Sequence, residues 1–143
     1  MKTVLIPIDD SADAEWTSQN AIQLYHSQQV KIFLLNVELP LSKYVARFVS
    51  KQNLNDFHVE AGMKYLQPVV DKLTAAGIPH SAHVVVGHKA ESIVQFAKQH
   101  GCDCIMVPKS QKRRSKNLGL GSIGSQLRQL IGADGSCDIN EAF

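Results

Sequence analysis

Apolar residues in this chain fall into two kinds of segment: short unbroken runs, and longer stretches where they recur every three or four positions. The run from Lys2 to Ile8 is continuous and rich in β-branched residues, which predicts a strand buried on both faces. Asp9, Asp10 and Ser11 then offer N-cap oxygens, with Asp13 and Glu15 where a helix dipole favours acids. The helix they open is predicted to reach about Gln28, with Ala14, Ala21, Leu24 and Tyr25 on its inner side. Val30 to Val37 predicts a second buried strand, closed by Pro40. Leu41 to Asp56 mixes aromatic and basic residues without a clean period and reads as a flexible connection holding one short helix. A regular spacing follows at Val59, Met63, Leu66, Val70 and Leu73, ended by Gly77 and Pro79, with Pro68 as a mild kink. His80 to Val86 is a third strand; Ala90, Ile93, Val94 and Ala97 mark a helix ended near Gly101. Cys104 to Val107 is a fourth strand, and after a long polar connection Ile123, Leu127, Leu130 and Ile131 mark a last helix. Beyond Ile131 the pattern fails, leaving at most a short edge piece at Cys137 to Asn140.

The element order predicts an α/β fold: one domain over residues 1–143, a three-layer sandwich with helices on both faces of a mostly parallel sheet. Four strands are plain and the fifth is weak. An uncovered fourth strand would be an aggregation hazard, so either the tail covers it or a dimer forms through another surface. Composition agrees with a globular domain, since 44% of the 143 residues are hydrophobic and 20% charged. No apolar run approaches the roughly 18 residues of a membrane span. The first apolar run stops at Pro7 and two aspartates, unlike a secretory signal. Cys102, Cys104 and Cys137 form no zinc pattern and read as reduced thiols, so the expected location is cytoplasmic.

A net charge of +2 does not imply nucleic acid, but it is concentrated locally: five of the eight residues from Lys109 to Lys116 are basic. No aromatic residue lies among them to stack on single strands, so a nucleic-acid partner is not expected. This stretch runs from a strand exit at Val107 into a glycine-rich helix start at Gly119 to Gly124. Exposed backbone N–H groups and a positive helix end suit an anion, and phosphate first of all. In an open parallel sheet ligands sit beyond the carboxyl ends of the strands, where three segments converge: Pro7 to Asp9, Asn36 to Val37, and Val107 to Gly124. Asp9 is suited to accept hydrogen bonds from a base or ribose, Val37 to offer backbone groups, and Gly121 and Ser122 to hold phosphate oxygens. Gly119 to Gly124 also fits G-x-G-x-x-G, yet follows no strand directly and lacks the later acidic residue of a dinucleotide site. His80 and His83 point to opposite faces of a strand, which argues against a metal shared with His88. Cys102 and Cys104 would share a face, with Cys104 packed in the core. No catalytic triad or carboxylate pair is visible, and no catalytic residue is assigned.

These residues resemble the universal stress protein family over almost the whole chain. The resemblance rests on the VLIPID opening, the LLNV second strand, the GHKAESIVQFA crossover, the CDCIMV fourth strand and the Gly-Ser before the last helix. It implies an adenine-nucleotide α-hydrolase-like fold with a five-stranded parallel sheet, a homodimer, and ATP with Mg2+ as the ligand of the binding members. The positions it implies for that ligand are Pro7, Asp9, Val37, Val107, Gly119, Gly121, Ser122 and Ile123. The family's G-x2-G-x9-G-[ST] motif keeps its last pair at Gly121 and Ser122, but its first two glycines fall on Pro108 and Gln111. Proline removes a donor and fixes φ, and glutamine adds a Cβ. Two functions follow. One is a non-enzymatic stress-response module with a degenerate ATP site. The other is an adenine-nucleotide binder or slow ATPase, in which Lys109, Lys112, Arg113, Arg114 and Lys116 compensate for the missing glycines.

Overall fold

The computed structural model describes residues 1–9, 14–108, 123–131 and 137–140. Its strands are β1 (Thr3–Pro7), β2 (Lys31–Glu38), β3 (Ser81–Val86), β4 (Cys104–Met106) and β5 (Asp138–Asn140). Its helices are α1 (Ala14–Gln28), α2 (Lys43–Ala46), α3 (Lys51–Ala75), α4 (Lys89–Gln99) and α5 (Ile123–Ile131). The strands form one sheet in the order β3-β2-β1-β4-β5, every pair parallel. The weak fifth strand is therefore real: Asp138, Ile139 and Asn140 lie opposite Cys104, Ile105 and Met106, so the tail covers the edge of β4.

Alternation along the strands sorts the core into two layers. Val4, Ile6, Ile32, Leu34, Cys104 and Met106 face one way and pack with Ala21 of α1 and Leu66, Val69 and Leu73 of α3. Leu5, Phe33, Leu35, Ile105 and Val107 face the other way and meet Ile93, Val94 and Ala97 of α4 and Ile123, Leu127 and Ile131 of α5. Both sides of each central strand are covered, which explains the unbroken apolar runs. Cys102 belongs to the α4–α5 layer and Cys104 to the α1–α3 layer. The expected shared face fails because β4 begins only at Cys104, so strand alternation does not reach back to Cys102.

The segment read as a connection before Val59 is largely helical. Ser50 Oγ accepts from the Asn53 N–H at 3.1 Å and caps α3, which starts at Lys51 and runs on through Pro68. At 1.5 Å per residue this helix is about 37 Å long, against roughly 26 Å for β2. Its meeting point with the sheet is Gly62, where an added Cβ would lie 2.6 Å from Val84 Cγ1 and 2.9 Å from Asn36 Oδ1. Asn36 and Val84 are near the carboxyl ends of β2 and β3, so the turns of α3 before Gly62 overhang that edge of the sheet. Helix α3 closes with Gly77 at a φ of 72° and Ile78 N–H donating back to the Leu73 carbonyl at 2.9 Å, a glycine-dependent helix end. Among the described residues, no helix is long and apolar enough to cross a membrane.

Candidate functional site

The strand order changes direction beside β1: its neighbour on one side is β2, and on the other β4, reached only after the chain has crossed from the far edge. That switch places the carboxyl end of β1 at the natural ligand crevice of the sheet. Two hydrogen bonds fix how the chain leaves β1. The Ile8 N–H donates to the Leu35 carbonyl at 2.8 Å, and the Ile8 carbonyl accepts from Asn36 Nδ2 at 2.8 Å. Asn36 is 1% exposed, so its amide is committed to holding this exit, and Asp9 follows at the top of the crevice. The sequence placed Asn36 at the site only as part of a segment. A lone amide inside an apolar strand was the available signal for its clamping role.

Asp9 Oδ2 accepts a hydrogen bond and ion pair from Lys89 Nζ, the first residue of α4. Both side chains are partly buried, at 21% and 29% exposure, so this pair is less screened by solvent than one on the open surface. Sequence reasoning missed it because the partners are 80 residues apart. Lys89 stands there because β3 ends at the same edge and α4 begins immediately: the Gly87 N–H donates to the Glu38 carbonyl at 2.9 Å, and His88 is the N-cap.

Of the other expected ligand positions, Pro7 is the buried last residue of β1, and Val37 is half-buried near the end of β2. Val107 is fully buried and Ile123 nearly so, both in the α4–α5 layer. Their side chains anchor the two ends of the long connection to the core, which leaves only their backbone groups for a ligand. Pro108, buried as well, continues from Val107 where the family motif has a glycine. Gly119, Gly121, Ser122, Gln111 and the basic residues from Lys109 to Lys116 lie outside the described residues.

An open cleft of about 440 Å3 runs between the first turn of α4 and α5, lined by His88, Lys89, Glu91, Gln126, Gln129 and Leu130. Among the described residues none of the positions expected from the sequence lines it, and Lys89 connects it to Asp9.

The histidines that looked like a group have separate surroundings. His80 Nδ1 is 2.9 Å from the Ile78 carbonyl, and a ring nitrogen of His83 is 3.3 Å from Ser81 Oγ. His83 also packs with Phe33, Phe96 and His100 at ring separations of 5.2 to 5.9 Å. Burial holds its pKa below the ordinary 6.5, and the charge of His100 lowers it further. No cluster of three or more metal-ligating side chains occurs among the described residues. Burial pushes the Cys102 thiol up to about 11 and Cys137 to about 12, and raises Cys104 as well. All three are protonated near neutral pH and poor nucleophiles.

Comparison with solved structures places the same architecture in several proteins. The hypothetical protein MJ0577 superposes with a TM-score of 0.70 at 22% identity, over 97% of this chain and 93% of that one. A universal stress protein in complex with cAMP gives 0.67 at 19% identity, over 96% and 94%. The universal stress protein from Archaeoglobus fulgidus in complex with dAMP gives 0.64 at 15% identity, over 98% and 96%. Identities this low establish the shared fold alone. No curated protein matches the sequence. The model of the universal stress protein family matches residues 1–131, which is most of the chain. With the five-stranded parallel sheet and the crevice at β1, this settles the classification: the chain belongs to the universal stress protein family.

Proposed function

We propose that this protein is a non-enzymatic stress-response module that binds adenine nucleotides and takes a monophosphate in preference to ATP. The observation that carries this reading is Pro108, buried at the exit of β4. Pro7, Asp9 and Val37 stand where strand ends converge, and Asn36 fixes the path of the chain into Asp9. Pro108 has no N–H to give and a fixed φ, so it does not reproduce the flexible glycine that lets the backbone approach a triphosphate. Cyclic AMP and dAMP occupy two of the structural neighbours, which makes short phosphates the ligands to test first.

Thermal-shift titration with adenosine, AMP and ATP, the last with and without Mg2+, tests the proposal. A ligand at about 100 times its dissociation constant adds roughly 2.7 kcal/mol of stability. The expected order is AMP above ATP, with Mg2+ making little difference and no phosphate released on incubation. Stronger stabilisation by ATP with Mg2+, absence of a shift with every ligand, or steady phosphate release would each overturn it.

A further inference from the structure

We propose that the segment between β2 and α3 docks this protein reversibly on an anionic lipid surface. After Met1, the three most exposed large apolar side chains among the described residues are Phe48 at 72%, Leu39 at 69% and Tyr44 at 66%. All three fall within this one segment, and Val45 beside them is exposed as well. The backbone that carries them is regular. Ser42 Oγ accepts from the Val45 N–H at 3.2 Å and caps α2. The Phe48 and Val49 N–H groups continue its turns by donating to the Val45 and Ala46 carbonyls, both at 3.1 Å. Yet no residue of α2 is buried. A helix this short is marginal by itself, and this one turns its apolar side chains outward.

The charge along this segment is of one sign. From Leu39 to Asn55 there are three basic residues and no acid. Lys43, Arg47 and Lys51 recur every four positions, and all are exposed. The Arg47 guanidinium lies 4.6 Å from the centre of the Tyr44 ring and 5.3 Å from that of Phe48, and the two rings meet edge to face at 5.5 Å. Apolar side chains set among cations match a bilayer interface, where rings sit at headgroup level and lysine and arginine meet lipid phosphates. Other occupants fit less well. A second copy in a symmetric contact would set these cations against their own kind. Single-stranded nucleic acid stacks on open ring faces, whereas Arg47 lies over both rings, and Leu39 and Val45 offer no stacking. An acidic protein would need pockets shaped to side chains that project this far. A fluid interface closes around them without one.

The test is co-sedimentation of the full chain with vesicles of phosphatidylcholine, alone or mixed with phosphatidylglycerol, in the absence of nucleotide. Binding is expected to the mixed vesicles only, and should weaken as salt is raised. Lys43→Gln/Arg47→Gln/Lys51→Gln should weaken it about fivefold per charge, so about a hundredfold in all. Leu39→Ser/Phe48→Ser keeps every charge and should weaken it about tenfold or more, the scale of withdrawing two large side chains from an apolar phase. All five positions are exposed, and melting curves check that the variants fold. Failure of the wild type to bind mixed vesicles, equal binding to both kinds, or full binding by the charge variant would overturn the proposal. So would full binding by Leu39→Ser/Phe48→Ser, which would leave only adhesion of cations to a charged surface. A wild type that ignores vesicles but dimerises in light scattering, or binds polyglutamate or oligouridylate, and loses that property in Leu39→Ser/Phe48→Ser, would also overturn it. The face would then belong to a second copy, an acidic protein or a nucleic acid.

Discussion

The two layers flanking the sheet are both built on apolar cores, yet they hold different polar content. Among the described residues, the buried polar side chains Thr17, Ser18, Asn36 and His58 all belong to the α1–α3 side. Only part of that polarity is satisfied: Ser18 Oγ donates to the Ala14 carbonyl at 2.6 Å and Asn36 to Ile8, while Thr17 Oγ1, Asn36 Oδ1 and His58 Nδ1 have no partner. On the other side α4 and α5 bring aliphatic and aromatic surface, and among the described residues no polar side chain there is fully buried: His83 is half-buried and His100 exposed. Burying an unsatisfied polar atom costs about 1 to 3 kcal/mol. The α1–α3 layer thus sacrifices stability to position an amide under the exit of β1. The α4–α5 layer works mainly by apolar bulk.

Three substitutions would break or sharpen that contrast. The largest effect is expected at Gly62, where a side chain would press on the stiff Val84 and on Asn36. Gly62→Val should cost about 2 to 3 kcal/mol as overpacking, even after a small gain in helix propensity. Urea denaturation would show a lower midpoint at unchanged slope. A loss below about 0.5 kcal/mol would mean that α3 can back away from the sheet. A smaller loss, about 1 kcal/mol, is expected for Asn36→Ala. The Ile8 carbonyl loses its donor, but an unsatisfied oxygen leaves with the side chain. Nucleotide affinity should fall more than stability does, since the variant loosens the approach to Asp9. Equal losses would reduce Asn36 to a packing residue.

The smallest effect belongs to the opposite layer and depends on pH. The folded pKa of His83 is depressed, first by burial and then by His100. The unfolded chain therefore binds the proton more readily. Stability is fullest above the ordinary value of 6.5 and declines as pH falls from there toward the folded pKa. His83→Gln should flatten that part of the profile in melts between pH 7 and pH 5. An unaltered slope would place the acid sensitivity elsewhere.

Most of the fold could be read from the sequence because central parallel strands are buried on both sides and leave continuous apolar runs. Helix α4 was equally plain, with one face fully buried at Ile93 and Ala97. The first half of α3 was not. Residues 51–57 overhang the sheet and bury almost nothing, so no stripe of apolar residues marks them; Ser50 was the usable sign. Strand β5 was faint because three residues paired mainly through backbone require little of their side chains. At the site, Asp9 and Val37 could be placed from topology, since strand ends converge wherever the order reverses. Lys89 could not, because an ion pair spanning 80 residues leaves no periodic or compositional mark. Asn36 stood between: its position was visible, while its bond to Ile8 depended on the register of β1 against β2.

The central position of β1 also fixes the order in which the sheet can be assembled. Val4 pairs with Ile32 on one side and with Cys104 on the other, and the Thr3 N–H donates to Asp103 Oδ2 100 residues away. During synthesis β2 can join β1 early, whereas Cys104, the first residue of β4, is still 66 residues away when Glu38 is made. At 5 to 20 residues per second that is a delay of roughly 3 to 13 s. Throughout it the strand destined for the middle of the sheet is an edge, with open backbone groups on an apolar segment. A nascent chain stalled between β3 and β4 is thus the stickiest state this protein passes through, and the place where chaperone protection would matter most.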